Sequence, residues 1–315
     1  MVVVMKKKVL ILLVVLVVTI GLCIGAYFLF TRDDETVPVI PEEPEVQEEQ
    51  KGSIPTQDMP RVDASLATQP LLDAYVEYFA HDDILEDIQN DYTNTHPAYE
   101  KLVKGETDLI IVTEPSEEEL QMASDAGVEL IVTKVVNEGF VFFVNANNPV
   151  DDLSLEEIVD IYSGNINYWN EVGGNDSRII PYQRPVNSGS QTGMLSLVMK
   201  GVAMREPLTE EMIETMGGII DIVADYDNNP DGIGYSYYYY AHVMYHTPDI
   251  QFLKVNGVAP NYETISDSTY PLMTAYYIVT RSDADEKTLH FKDLLLSDEG
   301  AQVAQEAGYV RAKES

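Results

Sequence analysis

Beyond about residue 61 the chain alternates short apolar runs with longer amphipathic stretches. The runs "DLIIVT", "VELIVTKVV", "GFVFFVN", "RIIPYQ" and "AYYIVT" have the length and the Val/Ile/Phe/Tyr content of strands. Between them, "PLLDAYVEYFA", "AYEKLVKG", "SEEELQMASDAG", "SLEEIVDIYSG", "GMLSLVMKG", "TLHFKDLLLS" and "DEGAQVAQEAG" space their apolar residues as a helix with one buried face does. This alternation predicts an α/β protein with mostly parallel sheets covered by helices. About 255 residues suffice for one large or two medium sheets. No internal repeat occurs at solenoid periods.

Two other patterns precede this region. Lys6, Lys7 and Lys8 lead into an uncharged apolar stretch from Val9 to Phe30, followed by Asp33, Asp34 and Glu35. As a helix the stretch is about 33 Å long, enough to cross a hydrocarbon core of roughly 30 Å. The lysines place its start in the cytoplasm and the rest of the chain outside. An uncleaved anchor over residues 1–31 is the favoured reading, giving a single-pass protein of the cell membrane with an extracytoplasmic C-terminal domain. A lipoprotein anchored at Cys23 is the alternative, although Leu22 stands where a small residue is expected and the apolar run continues past the cysteine. A cleaved signal peptide wants a shorter apolar core. From 32 to 60, "TRDDETVPVIPEEPEVQEEQKGSIPTQDMP" is rich in Pro and Glu with no apolar period, and reads as an extended, solvated linker.

Composition narrows the function classes. With 19 Lys+Arg against 53 Asp+Glu the formal net charge is -34, so no basic excess remains to displace counterions from a nucleic acid. One Cys excludes an intrachain disulfide and Cys-rich metal sites. His81, His96, His242, His246 and His290 show no metal spacing beyond the His242/His246 pair, which lacks an acidic partner motif. No nucleophile elbow or phosphate-cradling GxxxxGK[ST] loop is present, so the sequence supports neither an enzyme nor a cofactor. The Tyr235–Tyr240 run, broken only by Ser236, reads as a strand entering a helix, and Trp169 as a core anchor.

Several helix openings carry a hydroxyl followed by proline or glycine: Thr68-Gln69-Pro70, Thr95-His96-Pro97, and "SGSQTG" from Ser188 to Gly193. Ser and Thr are good N-caps, and proline costs no hydrogen bond in the first turn. Helix N-termini also present free N–H groups and a partial positive charge to oxyanions. Arg184, four residues before Ser188, adds a planar donor fork suited to phosphate-like groups. His96, at the second of these openings, is a possible donor, with packing or solvent contact as the plainer reading.

These features fall into an ordered pattern. "VDASLATQPLLDAYVEYF", "THPAYEKLVKGETDLIIVTEPSEEE", "INYWNEVGGND", "RPVNSGSQTGM", "DGIGYSYYYYA", "VNGVAPNYETISDSTYPL" and "FKDLLLSDEGAQVAQEAGYV" together resemble the phosphate-binding proteins of ABC-type phosphate importers, over about residues 61–311. The resemblance implies a two-lobed periplasmic-binding-protein-like fold of type II with hinge strands. Lobe 1 would comprise about 61–141 and 247–315, and lobe 2 about 142–246. It implies a monomer that captures inorganic phosphate between the lobes and passes it to ABC permease subunits. Arg184, Ser188, Gly189 and Ser190 fall on the family's Arg-x-x-x-Ser-Gly-Thr anion grip, with Ser190 in place of the commoner Thr. Thr68 falls on the first-loop Thr, the Gln69 N–H on the next contact, and Thr95 on the Ser at the second helix N-terminus. Glu114 falls near the family's Asp, where a carboxylate accepts the proton that phosphate keeps and sulfate lacks. The plainer reading of Glu114 is a solvated neighbour of a Ser116/Glu119 capping box. A sensor or adhesion module of the same fold, or a binder of sulfate, molybdate or a phosphonate, are the alternatives.

Overall fold

The computed structural model describes residues 54–80, 92–225 and 230–311. The membrane-anchor reading of residues 1–31, with Cys23, most of the linker and His81 lie outside the described residues. Among the described residues no helix is long and apolar enough to cross a membrane.

The strand β3, Leu130–Asn145, organises the molecule. Its first ten residues pair antiparallel with β9, Met273–Arg281, from Leu130↔Arg281 to Gly139↔Met273. From Phe140 onward it pairs instead with β6, Gly232–Tyr237, and then with β7, Ile250–Phe252. One continuous strand thus belongs to two sheets and changes partner at Gly139/Phe140. The sequence predicts "VELIVTKVV" and "GFVFFVN" as separate runs; Asn137 and Glu138 between them look like an interruption, but both are accommodated in the buried interior.

On one side of the switch the order continues β3–β9–β2–β1, with β2 at Leu109–Val112 and β1 at Val62–Ala64. Helices cover both faces. Leu109 and Ile111 of β2 join the main core with α1, Gln69–Phe79. Ile110 and Val112 pack with Tyr99 and Leu102 of α2, Thr95–Lys104. Burial on both faces is why β2 reads as an unbroken apolar run rather than an alternating one. The helix α3, Glu117–Asp125, packs beside α2 and is closed by a Ser116/Glu119 capping box. On the other side of the switch, β6 is flanked by the short β5, Ile180–Pro181. Trp169 is buried there and its Nε1 donates to the Asp231 carbonyl at 3.0 Å.

Three expectations change. The sheets are mixed, not mostly parallel: β1–β2 and β5–β6 are parallel, but every pair made by β3 is antiparallel, because the strands that close each half return along it. The linker expected to run to residue 60 ends earlier, since Ile54 and Met59 are buried in the core and Ile54 N–H bonds the Phe79 carbonyl at 3.0 Å. The return near residue 247 comes later: β7 still pairs with the second half of β3, and Lys254–Val255 (β8) with Asp152–Leu153 (β4).

Candidate functional site

A cleft of about 250 Å³ opens between the two sheets. The β1–α1 loop (Ser65, Leu66, Ala67), the start of α2 (Asn94 to Pro97) and Thr113 line one wall. Arg184, Asn187 to Ser190, Glu214 to Met216 and Tyr237 line the other.

Arg184 follows β5 by three residues and its position is fixed through the backbone. Its N–H donates to Gln191 Oε1 at 3.2 Å and to Tyr235 Oη at 3.1 Å. The guanidinium spends Nη1 on the Ile213 carbonyl at 2.9 Å, while Nε is buried without a hydrogen-bond partner. The residue is only 7% exposed, and among the described residues its guanidinium forms no ion pair with a carboxylate. Burial therefore pushes its pKa down, against smaller upward pulls from Tyr235 and Glu214. A buried cation without a counter-ion is costly, and a small anion in the cleft would offset that cost.

Beside it stands the helix α5, Gly189–Gly193, continued by a π-helical turn over Met194–Met199. Ser188 is the N-cap, its hydroxyl accepting from Gln191 N–H at 3.2 Å and keeping its own proton free to donate. Ser190 is buried against the cleft, and Tyr237 Oη donates to the Gly189 carbonyl at 2.8 Å. A Cβ on Gly189 would lie 2.9 Å from both Thr95 Oγ1 and Thr113 Oγ1, so only glycine lets this turn approach the opposite wall so closely.

That opposite wall starts from α2. Its N-cap is Asn94 at φ 96°, in the left-handed region, and makes no side-chain cap bond, which places Thr95 as the first helical residue rather than the cap. Thr113 Oγ1 is buried without a partner, although its carbonyl accepts from Tyr99 Oη at 2.8 Å. His96 also faces the cleft, its Nδ1 3.1 Å from Oε1 of the buried Glu119.

The structure therefore brings Thr95, Arg184, Ser188, Gly189 and Ser190 together. It does not bring the other three to the cleft wall. Thr68 is fully buried, and its hydroxyl is engaged with Ser65 and the Ile111 carbonyl, so the loop shows Ser65 to Ala67 to the cleft instead. The Gln69 N–H, the predicted contact, donates to the Ser65 carbonyl at 3.0 Å, and Gln69 is absent from the lining. Glu114 turns aside to accept a hydrogen bond from Ser196 Oγ across the rim, while its neighbour Thr113 faces in. The sequence carried no signal for Asn94, Thr113, Glu214 or Tyr237, which reach the cleft through tertiary packing. Among the described residues no group of His, Cys, Asp and Glu is placed to hold a metal ion. What the arrangement can do is hold a small oxyanion between one guanidinium, several hydroxyls and first-turn amides.

Known proteins align with this picture. The "Phosphate-binding protein PstS" of Bacillus subtilis is 27% identical over 251 residues, covering 79% of each chain. That of Staphylococcus aureus strain USA300 is 28% identical over 262 residues, 80% of this chain and 78% of the relative. Among solved structures, an ABC-type phosphate transport receptor from Vibrio cholerae superposes with a TM-score of 0.59 at 21% identity, over 79% of this chain and 98% of that one, and so shares the two-lobed fold. The profile described as the PBP superfamily domain matches residues 50–299. The chain belongs to the PBP superfamily.

Proposed function

We propose that the protein is an extracytoplasmic substrate-binding protein that captures inorganic phosphate in this cleft and delivers it to an ABC permease. The observation that carries the reading is Arg184, a buried guanidinium without a carboxylate ion pair among the described residues, on the wall of a cleft that Ser188, Ser190 and Thr95 also line. The curated relatives, phosphate-binding proteins over most of their length, support phosphate as the anion.

In this reading Thr95 contributes from the wall of α2, and Arg184, Ser188, the Gly189 N–H and Ser190 from the wall of α5. Because the two walls belong to different sheets, an anion held by both favours the closed arrangement by differential contact. Glu214, an exposed side chain at the cleft, is the carboxylate among the lining residues, and in this reading takes the role of proton acceptor that the resemblance implied for Glu114. Sulfate has no proton to offer it, so two negative groups would face each other. The protein acts as a monomer that binds without catalysis, and the apolar stretch Val9–Phe30 tethers it to the membrane.

Calorimetric titration of the full-length protein, stripped of bound anion, tests this reading. Phosphate is expected to bind tightly and stoichiometrically, with sulfate failing to compete at hundredfold excess or about that ratio. Equal binding of both anions would remove Glu214 as a discriminator, and silence with both would overturn the reading.

A further inference from the structure

The two walls of the cleft are joined at the rim by a hydrogen bond between side chains. Ser196 sits in the π-helical turn that continues α5, where Met194, Val198 and Met199 are buried while Leu195 and Ser196 are exposed. A serine inside a helix commonly returns its proton to a carbonyl of the preceding turn. Ser196 Oγ instead donates to Glu114 Oε1, 82 residues away along the chain. π-Helical turns are rare and gather at functional sites. Both partners are held by their surroundings. Glu114 lies between Thr113, whose carbonyl accepts from Tyr99 Oη at 2.8 Å, and Ser116, the N-cap of α3, which follows Pro115. On the other wall, the Gly189 carbonyl at the start of the same helical run accepts from Tyr237 Oη at 2.8 Å.

Position in the fold sets this bond apart from others that join the two halves. Those of Glu138 to the Tyr239 N–H and of Tyr270 Oη to the Phe140 carbonyl lie at the β3 crossover, where rotation of one half against the other moves atoms least. Glu114 follows β2, which is two strands away from β3 in the sheet order, so a rotation about the crossover separates it from Ser196. The bond exists only where the walls meet. Thr95 Oγ1 and Thr113 Oγ1, each 2.9 Å from the place a Cβ on Gly189 would occupy, show them meeting.

Resting on the phosphate reading, we propose that Glu114 and Ser196 form a latch that stabilises the closed arrangement and slows release of the anion, with neither side chain touching it. Both residues are absent from the cleft lining. Glu114 is then a positioning residue for closure rather than the proton acceptor that the family resemblance implied. A bond formed after the anion has entered lengthens the life of the complex and leaves the rate of entry unchanged.

The test combines titration calorimetry with a radiolabelled-phosphate chase on the full-length protein. Ser196→Ala is expected to release phosphate roughly fivefold faster and to bind it more weakly by the same factor, so that the association rate is unaltered. Ser196→Thr keeps the donor hydroxyl and Glu114→Gln keeps an acceptor oxygen, and both are expected to retain most of the slow release. Combining Ser196→Ala with Glu114→Ala should cost no more than either alone. Neither side chain is buried, so the Tm of each variant is expected to match that of the wild-type protein. Release from Ser196→Ala at the wild-type rate would overturn the latch. Additive losses in the double variant, with Glu114→Ala the larger, would also overturn it and mark Glu114 as a contact of the anion. Absence of phosphate binding by the wild-type protein would instead overturn the phosphate reading, and this inference with it.

Discussion

Arg184→Ala is expected to weaken phosphate binding by at least about a hundredfold, because it removes the one guanidinium that lines the cleft among the described residues. Hydrogen bonds to charged groups contribute about 1.5–3 kcal/mol each, and the guanidinium offers a fork of several donors. The same substitution is expected to leave the fold intact. The side chain's recorded internal bond is to the Ile213 carbonyl, and its loss is offset by relief of a buried, unpaired charge. Titration calorimetry paired with thermal unfolding separates the two effects. Loss of binding with an unchanged or raised Tm agrees with a ligand-holding role, whereas a collapse of Tm would make Arg184 a structural residue. Arg184→Lys should restore charge without the fork and recover only part of the affinity.

The second large effect concerns the strand that links the two sheets. Glu138 lies on β3 one residue before the last pair with β9, and is 2% exposed. Its Oε1 accepts from Gly139 N–H at 2.8 Å and Tyr239 N–H at 3.2 Å. Burial pushes its pKa up to about 7 from 4.5, with the backbone N–H donors pulling the other way. The folded state therefore holds this proton where the unfolded chain has released it. The stability that Glu138 contributes is complete below the unfolded value, near 4.5, and is lost as pH rises through about 7. A shift of this size corresponds to roughly 3 kcal/mol. Glu138→Gln keeps an oxygen to accept both N–H groups and has no proton to lose. Urea unfolding across pH should show the variant gaining on the wild-type protein from pH 4.5 upward, levelling at roughly 3 kcal/mol above pH 7. Parallel stability curves for the two proteins would contradict the assignment.

How much of this was legible in the sequence depended on whether a residue's role is local. Arg184 and Ser188 to Ser190 lie close along the chain, a weak signal by itself that the resemblance to a family motif made readable. Thr95 was found for the same reason, although as the first helical residue rather than the cap. Glu114 failed because of strand periodicity. Leaving β2, successive side chains point to opposite faces, and a one-residue uncertainty exchanges the inward Thr113 for the outward Glu114. Thr68 failed because its hydroxyl is used inside its own loop, with Ser65 and Ile111, which no spacing rule announces. Glu214 and Tyr237 were invisible because nothing in the sequence around them says which wall they will meet.

The continuity of β3 was missed for a different reason. Glu138 in an apolar run reads as a break, yet two backbone N–H groups make its burial tolerable. Likewise Ile54 and Met59, isolated among polar residues and prolines, gave no periodic signal although both are buried in the core.

In the proposed reading a tetrahedral oxyanion sits between Arg184 and the N-terminus of α5, against the wall that carries Thr95. The most direct test is crystallisation of the protein with arsenate, a heavier tetrahedral analogue, and anomalous diffraction at the arsenic edge. One arsenic peak per molecule is expected, within hydrogen-bonding reach of Arg184 and Ser190. A peak elsewhere on the molecule, or none in a crystal that diffracts well enough to show one, would contradict it.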